Sequence, residues 1–411
     1  MRIQIRKTYY FQHLLLWIGL ICVVSYALLE NMSIPIALFS SVKMPLLYVG
    51  GVCVLFQLNV LLSNFLRKRY FYILFTVLFM CGVAFLSMIV NTDNLFGFSP
   101  ERTTVRLILY LLELFAFAIV IAENGWSKVA LSFIYRYVVV LVLATDVLMF
   151  TGLVKFGERD HVYYLIGTKF TVIYMHLNLI ALWMVRNWKT EKFRNMPKWK
   201  MWLAGLMLVG LASYVDCMSG VLGGGIFVLL LMWLETSERR VKVLTSSATV
   251  LLCIFGGILF VTIIGLILEN PVIINFVENT LNRSTTLTGR LNIYQDFAGE
   301  MESKWLLGYG YGSGSIAAAK LYGYDNVQNA MLHWILQGGI LLAVGLSMLI
   351  ILTLRSSRLL KTDEMESLKP LFALIYTYMA LGTVEITYSM AFILWLALVF
   401  MVSNDKNNVS L

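Results

Sequence analysis

Long apolar runs dominate the chain and constrain its fold more than any other feature. A membrane-spanning helix needs about 20 consecutive, mostly apolar residues, and runs of this length follow one another along most of the 411 residues. Hydrophobic residues make up 59% of the chain and charged residues only 13%, whereas about one quarter of a soluble domain is charged. Because so few polar residues cannot cover a water-soluble body, the sequence predicts an integral membrane protein.

The apolar runs predict about twelve transmembrane helices. The first ten are placed near 12–30, 44–63, 71–90, 103–122, 129–151, 163–185, 199–215, 219–235, 243–268 and 327–354. The last run, 370–402, is too long for one helix and contains Glu385. We therefore expect it to divide near 384–388 into two short spans. The predicted fold class is an all-α polytopic membrane protein, with residues 1–411 in a single transmembrane domain.

The basic residues predict the orientation in the membrane. Most of the 32 lysine and arginine residues fall on the side that includes the N-terminus and Lys406. Cytoplasmic loops carry such an excess, so both termini are predicted to be cytoplasmic. The net charge of +9 reflects this bias, and we expect no nucleic acid partner. The five cysteines lie in apolar runs without a CxxC pair, which argues against a disulfide framework or a metal site.

The segment 269–326 is the one large loop, and the charge bias predicts that it is extracytoplasmic. Apolar residues recur in it at spacings of three and four, which predicts an amphipathic helix near 290–305. These residues are Tyr294, Phe297, Ala298, Met301 and Trp305. Such a helix is expected to lie on the membrane surface.

Charged residues inside the predicted spans gather toward the outer side of the membrane. They include Arg102, Arg106, Asp146, Lys169, His176 and Asp216. Charges within a membrane usually face a cavity or a partner, so an outward-opening cationic cavity is one interpretation, suited to a lipid-linked diphosphate. The alternative is buried ion pairing, such as Asp146 with Lys169, that only fixes helix packing. His176 alone is more typical of a packed helix histidine, and Arg136 and Glu385 fit the outer cluster less well.

The outer loop contains the most specific strings. Gly289 lets the chain turn tightly within Thr288-Gly289-Arg290, and the Arg290 guanidinium is a fork-shaped donor for phosphate oxygens. Gly308, Gly310 and Gly312 follow. Such glycines either expose backbone N–H groups to an anion or simply form a flexible surface loop. They are not a dinucleotide fingerprint, because no βαβ unit surrounds them.

In order and spacing these motifs resemble the O-antigen ligase/polymerase superfamily. The resemblance includes the polar pair Gln328-Asn329 at the start of the tenth helix. It spans roughly residues 160–345 and is greatest with Wzy-type polysaccharide polymerases of Gram-positive exopolysaccharide and capsule clusters, through Ile166–Phe170 and Asp216–Gly220. Two departures argue against the ligases of the superfamily. The turn at Cys217 lacks a cation, and Gln328 stands where many ligases have a histidine.

The resemblance implies a GT-C-like fold and a glycosyltransferase of the bacterial cytoplasmic membrane. The implied reaction joins undecaprenyl-diphosphate-linked repeat units and is inverting, metal-independent and without a cofactor. The implied partners are the lipid-linked donor and acceptor, membrane lipid, a flippase and a chain-length regulator. We assign charge stabilisation first to Arg290, and acceptor orientation or deprotonation to Asp216. The general base is not identified.

Further roles are assigned to groups of residues. Gln328 and Asn329 are predicted to hydrogen-bond sugar or phosphate. The predicted substrate-binding residues are Arg102, Arg106, Lys169, His176, Thr288, Gly289, Gly308, Gly310 and Gly312. Two other functions stay open. One is a ligase that transfers finished glycan, and the other is a transporter or lipid-linked glycan flippase. Transporters more often have inverted repeats and helices broken at mid-membrane, and neither is evident in the sequence.

Overall fold

The protein is almost entirely helical in this computed structural model. The described residues are 2–29, 36–91, 99–153, 163–188, 190, 199–268, 270–275 and 290–408. The first helices are α1 (Arg2–Leu28), α2 (Ile36–Leu55), α3 (Leu58–Asn64), α4 (Lys68–Val90), α5 (Glu101–Asn124) and α6 (Ser127–Phe150). A two-stranded antiparallel hairpin follows, with β1 at Tyr163–Tyr164 and β2 at Gly167–Thr168.

The remaining elements are again helices. They are α7 (Lys169–Asn187), α8 (Trp199–Tyr214), α9 (Met218–Glu235), α10 (Glu238–Leu244), α11 (Ser247–Leu268), α12 (Pro271–Asn275), α13 (Arg290–Glu300), α14 (Gly314–Tyr322), α15 (Ala330–Ser356), α16 (Thr362–Ser367), α17 (Lys369–Leu381) and α18 (Met390–Ser403). A short 3-10 helix, Ser357–Leu359, separates α15 from α16.

Each predicted span overlaps at least one of these helices, and the span 44–63 overlaps two, α2 and α3. Within the described residues, six helices are long and apolar enough to cross a membrane by length and composition. The pair α2 and α3 would make a seventh, although it bends by 67°. The chain is therefore an all-α polytopic membrane protein. The sixth predicted helix begins at Lys169 rather than near residue 163, because the hairpin with Gly167 at φ +125° occupies the preceding residues.

The last apolar run divides, as predicted, between α17 and α18. These helices have 13 and 14 residues, so each is about 20 Å long and shorter than the roughly 30 Å hydrocarbon core of a membrane. The break between them, residues 382–389, is held by internal hydrogen bonds. Thr387 Oγ1 donates to the Tyr378 carbonyl at 2.6 Å, and the Ala330 N–H donates to the Gly382 carbonyl at 2.8 Å.

Polar contacts tie many helix ends together at one end of the bundle, which we call the basic end. Arg67 pairs with Glu123 at 3.2 Å, and Lys128 pairs with Glu364 at 3.6 Å. The C-terminal segment lies here too, because Asp405 accepts a hydrogen bond from the Ser127 N–H at 3.0 Å. The ring of His13 in α1 lies 4.3 Å from that of Trp126. The opposite end of the bundle contains the hairpin, the turn after α8 and the segment 301–312. We call it the loop end.

Helix α13 departs from the prediction in the direction of its apolar face. Phe297 and Met301 are buried, and the Phe297 ring stacks on Tyr322 of α14 at 6.4 Å and meets Trp305 edge-on at 6.1 Å. Ala298 is exposed instead. The protein itself therefore covers part of the apolar face that was expected to contact the membrane, and the position of the helix on the membrane surface stays a prediction.

Candidate functional site

Lys169 and Asp216 come together at the loop end. Lys169 is the first residue of α7, directly after the hairpin, and its Nζ lies 3.7 Å from Asp216 Oδ2. The side chain of Lys169 is 13% exposed and that of Asp216 is 85% exposed. Asp216 has φ +52°, a region that few non-glycine residues adopt outside turns and functional sites. The turn thus holds a carboxylate over a half-buried cation.

His176 pairs with Asp146 and not with the cationic cluster. Its Nε2 lies 3.2 Å from Asp146 Oδ2, and its Nδ1 lies 2.8 Å from the Val172 carbonyl oxygen. Both ring nitrogens therefore face oxygen atoms of the protein itself. The structure supports the packing interpretation of this histidine. The alternative pair Asp146–Lys169 is not formed among the described residues, because each member has a different partner.

Glu385 is the site residue that sequence reasoning did not assign. It lies in the break between α17 and α18 and is half-buried. The Tyr174 hydroxyl lies within electrostatic range of the Glu385 carboxylate and lies beside Ser219. This hydroxyl is buried and makes no hydrogen bond of standard geometry within the described part of the chain. A carboxylate that interrupts an apolar run between Thr and Tyr residues was the available signal.

We call these five residues the loop-end cluster: Lys169, Tyr174, Asp216, Ser219 and Glu385. Cys217 lies within it, 3.6 Å from the Ser219 hydroxyl, and both Glu385 and Lys169 are near its sulfur. Burial raises the pKa of the Cys217 thiol, so a neutral thiol is favoured there over a nucleophilic thiolate. The cluster therefore combines one cation, two carboxylates and two hydroxyls.

Tyr378 at the end of α17 anchors the break beneath the cluster. Its hydroxyl donates to Asn178 Oδ1 of α7 at 2.6 Å, and its ring meets that of Tyr174 edge-on at 5.6 Å. Tyr378 also receives the hydrogen bond from Thr387 described above. Two helices and the break are thus joined at one point, which fixes the backbone that carries Glu385.

A chain of contacts links the predicted Arg290 region to the same break. Tyr294, one turn after Arg290 in α13, donates its hydroxyl to the Gln328 carbonyl at 3.1 Å. Asn329 Nδ2 then donates to the Thr383 carbonyl at 3.2 Å, two residues before Glu385. Arg290 is the first residue of α13, and only its backbone is described. Thr288 and Gly289 lie outside the described residues.

Asn329 has a structural role at the start of α15. Its Oδ1 accepts the N–H groups of Met331 and Leu332, each at 3.0 Å, which is a helix N-cap. With its Nδ2 bonded to Thr383 and the side chain 1% exposed, a sugar or phosphate has no access to it in this structure. Gln328 precedes Asn329 and has φ +53°. Of the two residues, Gln328 is therefore the one with the strained backbone, and its carbonyl accepts the hydrogen bond from Tyr294 of α13.

The glycine segment packs closely against the backbone of α15, a contact that the sequence did not predict. Gly308, Gly310 and Gly312 all have positive φ angles. A Cβ on Gly308 would lie 2.6 Å from the carbonyl carbon of Gln337, and the Gly312 N–H donates to Gln337 Oε1 at 2.7 Å. The Gly308 N–H bonds to the Lys304 carbonyl at 2.8 Å. These two amides are therefore satisfied internally rather than offered to an anion.

Helix α15 is kinked where this segment enters. Gly339 has φ +69° and ψ −175° inside the helix, and the Ile340 N–H bonds to the Trp305 carbonyl at 2.7 Å. Ser87 of α4 donates to the Leu307 carbonyl, and Asn91 donates to the Gly308 carbonyl at 3.1 Å. The segment 305–312 thus packs between α4 and the kink, and we call it the wedge.

Arg102 and Arg106 lie beside the wedge, at the start of α5. Thr103 between them donates to the Tyr311 carbonyl at 2.5 Å. Arg102 is exposed, whereas Arg106 is half-buried and its Nε has no hydrogen-bond partner among the described residues. Within the described ranges, neither arginine forms a hydrogen bond or an ion pair with Lys169 or Glu385. The structure thus brings part of the predicted cationic lining together and leaves these two arginines apart from it.

Neither a metal centre nor a known relative defines the site. In the part of the chain that the structure describes, no group of three or more His, Cys, Asp or Glu side chains could hold a metal ion. Comparisons with models of protein families, with curated proteins and with solved structures gave no significant match. The resemblance to the O-antigen ligase/polymerase superfamily therefore stays a prediction from the sequence motifs.

Proposed function

We propose that the protein is a glycosyltransferase that polymerises undecaprenyl-diphosphate-linked oligosaccharide repeat units at the outer face of the bacterial cytoplasmic membrane. The observation that supports this most is the convergence of distant residues at the loop end. Lys169 and Asp216 meet there, and α13, which begins at Arg290, is linked through Asn329 to the break that carries Glu385. One cation, two carboxylates and two hydroxyls in one place suit transfer from a diphosphate donor to a sugar hydroxyl.

The proposed orientation places the basic end in the cytoplasm. Lysine and arginine concentrate in cytoplasmic loops, and both the Asp405 contact and the His13 contact place the chain ends near that side. About twelve helices with both termini inside would then leave the loop end outside. A lipid-linked substrate already delivered to the outer leaflet would meet the loop-end cluster there.

Each residue of the cluster has a proposed task. Glu385 takes the proton of the acceptor hydroxyl as the acceptor oxygen bonds to the anomeric carbon of the donor. The bond from that carbon to the diphosphate oxygen breaks, and the lipid diphosphate leaves with the bonding electrons. Lys169 and Arg290 stabilise the charge that develops on it, as fixed cations do in phosphate chemistry. Asp216, mostly exposed and already paired, orients Lys169, so the proposed proton acceptor is Glu385 rather than Asp216.

The Arg290→Ala variant tests the charge-stabilising role. In the host, we expect it to leave single repeat units on the lipid carrier while the protein remains in the membrane. Lys320→Ala is the matched control, because Lys320 is an exposed cation of the same loop without a proposed task. Full-length polymer from the Arg290→Ala strain, measured as the length of lipid-linked glycan, would overturn the assignment.

A flippase or transporter is the second candidate, because the structure contains broken helices. The break at 382–389, the kink at Gly339 and the bend between α2 and α3 are features that transporters commonly have. The sequence predicted the break near 384–388 but not the kink at Gly339 or the bend between α2 and α3. Deletion of the gene distinguishes the candidates. Loss of a polymerase leaves single units that a membrane-impermeant reagent can label from outside, loss of a flippase leaves them inaccessible, and loss of a ligase leaves long lipid-linked polymer.

A further inference from the structure

A groove at the basic end carries positive charge and aromatic walls. It measures about 480 Å³ and is lined by Trp17 of α1 and by Lys128, Val129, Ser132, Phe133 and Arg136 of α6. This size is within the range of small-molecule sites, roughly 300–1,000 Å³. The groove lies far along the bundle from the loop-end cluster, because α6 begins at the basic end and runs toward the loop end. Glycosyl transfer does not involve it.

Three polar residues of the groove form a ladder on one face of α6. Lys128, Ser132 and Arg136 follow at intervals of four, so they lie above one another on the helix. Helical side chains lean toward the N-terminus of their helix, which here is the basic end. The Arg136 guanidinium is therefore directed back toward Ser132 and Lys128, as long basic side chains are when they extend toward a membrane surface.

Arg136 has no acidic partner among the described residues. It is exposed and lies nine residues after the first residue of α6, which is about 13 Å along the helix axis. The acidic residue that faces the ladder, Glu364 of α16, pairs with Lys128 at 3.6 Å, and that lysine is 70% exposed. An exposed pair of this kind is worth little. A cation within the membrane normally has a counter-charge, and the described part of the chain does not supply one for Arg136.

Aromatic rings place the groove at the depth of lipid head groups. The Trp17 ring lies 6.2 Å from Trp126 and 6.1 Å from Phe133. Tryptophan concentrates at the membrane–water interface. Val129, which lies between Trp126 and Phe133 along the chain, adds an exposed apolar residue to the wall at this level that would contact acyl chains. The groove therefore offers cations to a phosphate and apolar surface to the chains attached to it.

We propose that this groove binds an anionic phospholipid of the leaflet at the basic end, with its phosphate held by Arg136, Ser132 and Lys128. Basic pockets between transmembrane helices on the cytoplasmic side are suited to such head groups. A soluble anion would supply only the charge, whereas a phospholipid also fills the apolar part of the groove next to Trp17, Val129 and Phe133.

Lipid binding to the purified full-length protein tests the proposal. Phosphatidylglycerol and phosphatidylcholine of equal chain length are added in detergent, and bound lipid is counted by native mass spectrometry. We expect phosphatidylglycerol to bind at least tenfold more tightly than phosphatidylcholine, and Arg136→Gln to remove most of that preference. Arg136→Lys should retain a part of it. Lys200→Gln is the matched control, because Lys200 is a cation beside a tryptophan at the basic end but outside the groove.

Each contrary outcome has a distinct meaning. Equal binding of the two lipids, or an unchanged preference in Arg136→Gln, would overturn the proposal. Displacement of phosphatidylglycerol by an equal concentration of inorganic phosphate would identify a soluble anion instead of a lipid. Arg136 is exposed, so Arg136→Gln is expected to fold. Its thermal unfolding temperature in lipid-free detergent should match that of the unchanged protein, which separates lost binding from lost structure.

Discussion

Two carboxylates within the membrane-embedded bundle, Glu113 and Glu385, have opposite surroundings. Glu113 lies in the middle of the intact helix α5, is 2% exposed, and neither carboxyl oxygen has a hydrogen-bond partner among the described residues. Its carboxyl packs against Gly50 and Gly51 of α2. Glu385 lies in a helix break, is half-buried, and lies within electrostatic range of the Tyr174 hydroxyl.

The difference shows how an interrupted helix makes a polar site in a membrane. An intact helix satisfies its own backbone groups, so only side chains of neighbouring helices surround Glu113, and these are apolar or glycine. A break frees backbone groups that need partners, and polar side chains gather around them. Burial of a charged group without partners is very unfavourable, so the surroundings of Glu113 suit a neutral carboxyl. Those of Glu385 suit proton transfer.

The largest expected effect comes from the exchange of each carboxylate for its neutral amide. Glu385→Gln cannot accept a proton, and general acid–base groups contribute about 10²–10⁴ in rate. We expect polymer formation to fall at least a hundredfold. Glu113→Gln keeps the size of the side chain and should retain polymer formation within about twofold, because no charge is needed at this site. Lipid-linked glycan length in the two strains measures both.

Control measurements separate this result from misfolding. Glu302→Gln removes an exposed carboxylate of the segment 301–312 and should have no effect. Membrane levels and thermal unfolding of all three variants should match those of the unchanged protein. Normal polymer in Glu385→Gln would remove Glu385 from the mechanism. Loss of polymer in a well-folded Glu113→Gln protein would contradict the expectation that the buried Glu113 carboxyl, unlike that of Glu385, takes no part in proton transfer.

The next effect concerns the second helix break at the loop end. A Cβ on Gly339 would clash with the Leu306 carbonyl, and its φ of +69° with ψ −175° is unfavourable for any other residue. Gly339→Ala is therefore expected to lower the free energy of unfolding by more than about 3 kcal/mol and to displace the wedge, residues 305–312. Gly225→Ala is the control, because its Cβ would meet open space in α9. Recovery of folded protein after heating in detergent measures the difference, and equal recovery would argue against the wedge.

The sequence predicted the helices better than it predicted the site. Apolar runs define spans because each helix must satisfy its backbone groups internally, and even the division near Glu385 was found. The wedge at Gly308–Gly312 was not recognised, because its partner Gln337 is distant in the sequence and glycine spacing alone does not identify what approaches. The cap formed by Asn329 was missed for a similar reason. A capping residue and a ligand-binding residue look the same until the helix start is located.

A smaller effect tests the close packing of Gly50 against the buried Glu113. A Cβ on Gly50 would clash with Glu113 Oε2, and overpacking of this kind costs roughly 1–3 kcal/mol. We expect Gly50→Ala to lower the thermal unfolding temperature, whereas Gly82→Ala, where a Cβ meets open space, should not. Combining Gly50→Ala with Glu113→Ala frees the space, so the double variant should be less destabilised than the sum of the two single changes. Strict additivity would show that the two residues do not contact each other.

The smallest expected effect tests the connection between α15 and the helix break that carries Glu385. Asn329→Ala removes the cap of α15, which typically costs about 1–2 kcal/mol, and also the bond to the Thr383 carbonyl that positions the Glu385 segment. Asn329→Asp keeps the capping acceptor but cannot donate to Thr383. If the break is positioned through this bond, Asn329→Asp should retain most of the stability in thermal unfolding and still shorten the glycan. If Asn329→Asp makes normal polymer, the residue acts only as a cap, and Tyr378 and Thr387 hold the Glu385 break without it.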